Sequence, residues 1–198
     1  IWWIEYVGLS GIRQDTYPYP DKHFMAEWTR RIMEEYPHFN MVGEEWSPSP
    51  VITSYWQQGK QNHDGYESSL PSVMDFPLQM MMQKALTDPE KSWGSVWTPV
   101  YEMLGHDFLY PDPFNLMIFP DNHDMDRIYT QLDENYERFR MAIAFYMTMR
   151  GIPQIYYGTE ILASHPGTSS HGALRMEFPG GWSDHDKSAF TGENLSDK

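Results

Sequence analysis

Residues 11–46 read GIRQDTYPYPDKHFMAEWTRRIMEEYPHFNMVGEEW, and this stretch decides the fold. GIRQ at 11–14 is a short β-prone run. From Lys22 to Glu35 the apolar residues Phe24, Trp28, Ile32 and Met33 recur at the spacing of one helical face. Pro37 ends that helix, and Phe39 to Gly43 is β-prone again. Strand, helix and strand in succession make a βαβ unit with parallel strands. Both strands run into acids, Asp15 and Glu44.

The alternation continues on either side. Residues 1–7 read as the end of an amphipathic helix with Trp2, Trp3 and Tyr6 as core candidates, stopped at Gly8. Beyond a polar loop at 47–69, Val73 to Phe76 is expected as a strand. Pro77 to Leu86 follows as a helix with proline in its first turn. QMMM at 79–82 is a core or helix contact. Asn115 to Phe119 makes a fourth strand and leads into a third acidic motif, FPDNHD at 119–124. A helix runs from about Glu134 to Arg150, with Tyr136, Phe139, Ile143 and Met147 on one face and Gly151 at its end. Its middle is apolar on nearly every side, as in a helix sandwiched between neighbours. Gln154 to Tyr157 is the expected fifth strand, and 162–198 reads as a long loop. Five strands with helices between them form an α/β fold, either an open sheet or part of a closed barrel.

Composition narrows the partners. The net charge of −14 argues against a nucleic-acid partner, since phosphate contacts need clustered Lys and Arg. Cysteine is absent, which removes disulfides and cysteine-ligated metals. The longest nearly apolar run, Met141 to Met149, is too short to span a bilayer. Aromatic residues make up 16 % of the chain, a surface on which sugar rings stack, although aromatics are core residues first. The chain opens at IWWIEY without an initiator Met, as expected of a piece of a longer protein.

Each acidic motif alone is consistent with ordinary surface acids, but three at strand ends of one sheet suit glycosidic bond cleavage. A retaining glycosidase needs an ionised carboxylate nucleophile and a protonated acid on the order of 5 Å apart. A cation must hold the nucleophile charged, and Arg13, two residues before Asp15, shares its strand face. The acid needs a partly apolar, carboxylate-rich setting. Glu44 sits after Gly43 and near Trp46, a candidate pocket wall, while Glu45 points elsewhere.

The motifs then become specific. GIRQD resembles the G-x-R-x-D strand of the α-amylase superfamily of glycoside hydrolases, and VGEEW its general-acid strand end. FPDNHD resembles its F-x-x-N-H-D motif, and GIPQIYYGTE at 151–160 its last-strand segment. DTYPYPDK, NHDMDRI and FPGGW at 178–182 look most like the neopullulanase and cyclomaltodextrinase branch. The resemblance implies a partial (β/α)8 TIM barrel, strands 4 to 8 with their helices, with catalysis at its C-terminal face. Residues 1–198 would be the C-terminal part of that catalytic barrel, the first three strands and the C-terminal β domain lying outside them.

The implied activity is a retaining hydrolase of α-glucans such as starch, maltooligosaccharides, pullulan or cyclodextrins. It would cleave α-1,4 linkages, with α-1,6 cleavage and transglycosylation as extensions. Asp15 would be the nucleophile, Glu44 the acid and base, and Asp124 the transition-state stabiliser. Arg13, His123, Trp46, Tyr17 and Arg127 would contact substrate. Tyr17 and Tyr19 would face the acceptor sugar, and Asn122 would brace the strand end. Arg127 and Glu160, beside motif residues, suit packing and binding equally.

An alternative is a non-catalytic carbohydrate-binding or scaffold member of the same fold, or a fragment inactive on its own that covers its sheet edges by self-association. The family's motif from strand three is absent here. So are most of its calcium ligands, which leaves calcium to the full-length protein. Lys22 and His23 follow Asp15 too late for the family's Lys-His pair. His165, His171 and His185, with Asp184 and Asp186, match no compact metal-ligand spacing and read as solvated loop, so no metal ligand is assigned. A periplasmic or secreted location is favoured over a cytoplasmic one by the resemblance to bacterial starch-utilising enzymes.

Overall fold

The computed structural model describes residues 1–88 and 96–195. They form two compact units, Ile1–Phe119 with Thr148–Pro153, and Pro120–Met147 with the residues from Gln154 onward.

The first unit carries five parallel strands: β1 (Gly11–Gln14), β2 (Asn40–Gly43), β3 (Ser72–Val73), β4 (Met117–Ile118) and β5 (Ile152–Pro153). β1 pairs with β2 in the register Gly11↔Asn40 to Gln14↔Gly43, and β2 with β3 through Val42↔Ser72 and Gly43↔Val73. β4 pairs with β5, and a parallel bridge between Met74 and Met117 joins the two groups. The strands therefore neighbour one another in chain order, as successive crossovers of one hand produce. Among the described residues β1 and β5 each have a strand on one side only. Residues from all five strands line a cavity of about 340 Å³ into which Arg13 reaches.

Helix α1 (Trp2–Val7) ends at Gly8, whose φ of +71° suits glycine. Its core residue is Ile4; Trp2, Trp3 and Tyr6 are exposed, contrary to their expected burial. Their rings pack on one another instead, Trp2 and Tyr6 stacking at 4.7 Å. Helix α2 (Lys22–Glu35) is capped by Asp21, which accepts from the Phe24 amide at 2.9 Å. Its fully buried stripe is Met25, Thr29 and Ile32, with Trp28 and Met33 packed at the side. Phe24 lies one position off that stripe and is exposed. The solvent face carries the ion pairs Glu27–Arg30, Glu27–Arg31 and Arg30–Glu34.

The polar loop after β2 contains the short helix α3 (Pro50–Ser54). β3 stops at Val73, because Asp75 already caps α4 (Phe76–Thr87) by accepting from the Leu78 amide at 3.0 Å. Gln79 and Met82 are buried on α4, which packs against α5 (Thr98–Leu104). β5 ends before the expected strand at Gln154–Tyr157 begins, and those four residues form no strand. Gly151, at φ +104°, delivers the chain against β4 where a Cβ would stand 2.7 Å from the Leu116 carbonyl oxygen.

Asp75 also accepts from Arg150 at 2.6 Å, and the same guanidinium forks onto both oxygens of Asp107. Asp75 is 1 % exposed, and burial raises its carboxyl above the usual range, opposed by Arg150.

The second unit holds α6 (Ile128–Gln131), nearly all of α7 (Tyr136–Thr148) and α8 (His171–Leu174). α7 buries one stripe, Phe139, Ala142 and Tyr146, while Met141 and Met147 are exposed, so it is not covered all round as expected. α8 breaks the expected loop, whose last three residues lie outside the described ones. No helix among the described residues is long and apolar enough to cross a membrane.

Removing Arg150 would strand one fully buried carboxylate beside a second. Arg150→Met is therefore expected to cost about 3–5 kcal/mol in urea unfolding. A loss under about 1 kcal/mol would show that this ion triad is not a main tie of the first unit.

Candidate active site

Asp15 follows β1 directly and Glu44 follows β2 directly, so the register that pairs Gln14 with Gly43 brings the two acids to one edge. Arg13 joins them: Nη1 donates to Asp15 Oδ2 at 3.2 Å and Nη2 to Glu44 Oε1 at 2.5 Å. The backbone amide of Thr16 donates to Glu44 Oε2 at 2.9 Å. Thr16 makes that bond from φ +45°, a left-handed conformation that a β-branched residue adopts only when its surroundings force it. The Glu44 side chain is 5 % exposed and that of Asp15 59 %, so one acid is enclosed and the other faces solvent. Enclosure suits a general acid, yet the neighbours of Glu44 are hydrogen-bond donors rather than the expected carboxylate-rich, apolar wall.

Gly43 permits this approach, because a Cβ there would stand 2.7 Å from Leu70 Cδ2 and 2.9 Å from Tyr17 Cγ. Tyr17 is thus a core residue, 1 % exposed, packed edge-on against Trp56. That corrects its expected sugar contact: the strand end needs an aromatic plug, and no face of the ring is left for substrate. Tyr19 is exposed. Trp46 stacks on Phe76 at 4.6 Å and keeps 44 % of its surface exposed, a ring still open to a ligand. Glu45 turns away, accepting from Trp56 Nε1 at 2.7 Å, and burial raises its carboxyl above the usual value. Lys22 pairs with Asp64 at 2.6 Å and donates to the Tyr55 hydroxyl.

The second unit carries the third motif. Asp124 Oδ2 lies 3.0 Å from His123 Nε2, and Oδ1 accepts from Arg175 Nη2 at 2.5 Å. His171 Nδ1 is 3.5 Å from the same Oδ1. The Asp124 amide donates to Asn122 Oδ1 at 2.8 Å, so Asn122 shapes the turn. Asp121 is fully buried; its Oδ2 accepts from the Ile128 amide at 2.7 Å and starts α6.

Arg127 is not a substrate residue. It is 1 % exposed and donates to the carbonyls of Leu174 and Tyr157, with its guanidinium 4.0 Å from the centre of the Tyr156 ring. Carbonyl bonding takes up Nε and Nη1, while the buried Nη2 has no hydrogen-bond partner and lies among the tyrosine rings. Glu160 is exposed beside an apolar groove of about 430 Å³ that includes Tyr136, Phe139 and Ile155.

His165 is not solvated, since both ring nitrogens are inaccessible and Nε2 lies 3.7 Å from Asp126. His185 staples its loop, accepting from the Gly180 amide and meeting Glu177 at 3.1 Å. Among the described residues no three His, Asp or Glu side chains gather to hold a metal ion. Arg175 escaped the sequence reading and His171 was read only as solvated loop, although Ser170 before HGAL is an N-cap signal that could have located α8.

The family described as "Alpha amylase, catalytic domain" matches residues 10–187. The chain belongs to the alpha-amylase family. It is 27 % identical over 178 residues to a cyclomaltodextrin glucanotransferase of Geobacillus stearothermophilus, covering 89 % of this chain and 23 % of that protein. A cyclomaltodextrinase of Thermoanaerobacter pseudethanolicus is 28 % identical over 162 residues, covering 81 % of this chain and 26 % of that protein. Among solved structures, an alpha-amylase from Geobacillus thermoleovorans complexed with acarbose superposes with a TM-score of 0.72 at 27 % identity. That match covers 89 % of this chain and 38 % of the solved one. The chain thus spans about a quarter of the length of the curated relatives it matches.

Burial lifts the Asp121 carboxyl from 3.8 to about 6, opposed by the Ile128 amide and Arg127. The folded state then holds this proton more tightly than the unfolded chain. The group's stabilisation is complete below pH 3.8 and fades as pH rises through 6. Relative to the parent, Asp121→Asn should gain up to about 3 kcal/mol in urea unfolding between pH 4 and 7. A difference between the two that is flat across this range, or that runs the other way, would refute it.

Proposed function

We propose that this chain is part of a retaining α-glucan hydrolase in which Asp15 is the nucleophile, Glu44 the acid and base, and Asp124 the stabiliser of the reacting sugar. The observation that carries the reading is the single guanidinium of Arg13 shared by Asp15 and Glu44. That shared contact holds the two carboxylates at one strand edge, the arrangement a nucleophile and an acid need on either side of one glycosidic bond.

An Asp15 oxygen then bonds to the anomeric carbon as the glycosidic C–O bond breaks, and Glu44 hands its proton to the departing oxygen. Water next attacks the same carbon, gives a proton to Glu44 and releases Asp15, with configuration retained. A sugar hydroxyl in place of water would give transfer. His123 donates to the same sugar and Trp46 offers a stacking face. In this reading β1 to β5 are strands four to eight of a (β/α)8 barrel, the earlier strands and a C-terminal β domain lying outside residues 1–198. Relatives named for cyclomaltodextrin chemistry favour cyclodextrins and linear α-1,4 glucans as substrates.

In the longer protein, Asp15→Asn and Glu44→Gln are expected to lower turnover of cyclodextrin or starch by about 10³-fold or more, with smaller changes in KM. An unchanged rate in Asp15→Asn removes that residue from the nucleophile role. The 198-residue stretch alone, in which β1 and β5 each pair on one side only among the described residues, is expected to release little reducing sugar and to self-associate. Monomeric size in solution with turnover comparable to that of the longer protein would overturn this.

A further inference from the structure

Asp124 is gripped by a side chain that none of the acidic motifs contains. Arg175 Nη2 donates to Asp124 Oδ1 at 2.5 Å while its Nε donates to the backbone carbonyl of His123 at 3.0 Å. One planar fork thereby fixes both the carboxylate and the peptide leading into it. The same Nη2 lies 2.9 Å from His171 Nδ1, and a guanidinium can only donate, so that nitrogen is the acceptor in this contact.

Arg175 is itself anchored. It follows α8, whose Leu174 is 2 % exposed and whose Leu174 carbonyl accepts from Arg127 Nε at 2.9 Å. Arg127 stands three residues after Asp124 and is fixed against Tyr156 and Tyr157. A closed circuit therefore runs from the acidic motif through Arg127 and α8 back to Asp124. The Arg175 side chain is 45 % exposed and that of Asp124 24 %, so the ion pair adds little to stability. Its geometry is better explained by a carboxylate that must face one way.

We propose that Arg175 is a positioning residue that sets the orientation of the Asp124 carboxylate for the bound sugar. The inference rests on the role given to Asp124 above. Sugar hydroxyls meet a carboxylate whose rotation is already restricted, with His123 holding its other oxygen.

The test is a double-mutant cycle in the full-length protein with maltoheptaose as substrate, comparing Arg175→Ala, Arg175→Lys, Asp124→Asn and the double variant. Arg175→Ala should lower kcat by about 10- to 100-fold with KM changed less than about threefold, the scale of a misplaced catalytic group. Arg175→Lys keeps the charge without the fork and should fall between. Both should melt within a degree or two of the parent, and Arg175→Ala should have no further effect in the Asp124→Asn background. A loss seen only in KM, or one that adds fully to that of Asp124→Asn, overturns the inference and makes Arg175 an independent sugar ligand. A loss in Asp124→Asn with none in Arg175→Ala overturns the positioning role alone. No loss in either variant overturns both that role and the reading of Asp124.

Discussion

Two four-residue parallel strands in a single register set the chemistry at the head of the sheet. With Gln14 opposite Gly43, the next residues out are Asp15 and Glu44, and Arg13 lies within reach of both. A slip of one residue would turn every side chain of the strand to the other face and separate the acids. The register is protected by what cannot move. Gly43 leaves no room for a Cβ beside Tyr17 and Leu70, and Thr16 is held in a left-handed turn that spends its amide on Glu44. Strain and close packing are tolerated here because they aim hydrogen-bond donors at one carboxylate.

Buried charge is managed in a consistent way through both units. Asp75 caps a helix and meets Arg150, whose fork also takes Asp107. Arg127, against two tyrosine rings, gives Nε and Nη1 to backbone carbonyls. In each case a guanidinium ties chain segments distant in sequence, work that a point-like ammonium would do less well. A chain with a net charge of −14 has few cations to place, and several of its arginines stand at such junctions.

Much of the plan was legible in the sequence. The 3.6-residue recurrence in 22–35, the β-prone runs at 11–14 and 39–43, and an acid after each run located a βαβ unit and two of its functional ends. The misreadings share one cause. Trp2, Trp3, Tyr6, Phe24 and Tyr17 were sorted by side-chain character, but burial depends on which face a neighbouring element covers. Arg127, beside the acidic motif, belongs to the packing. Arg175, some fifty residues further along, touches Asp124 directly.

By itself the sequence determined the alternation of strand and helix, the parallel sense of the sheet and the acids at its strand ends, because these follow from local periodicity and turn chemistry. Tertiary structure alone decided that one guanidinium serves both Asp15 and Glu44, that Tyr17 is a plug, and that Arg175 grips Asp124. Those outcomes depend on distances between segments far apart in the chain, and such distances are set by packing rather than by neighbours in sequence.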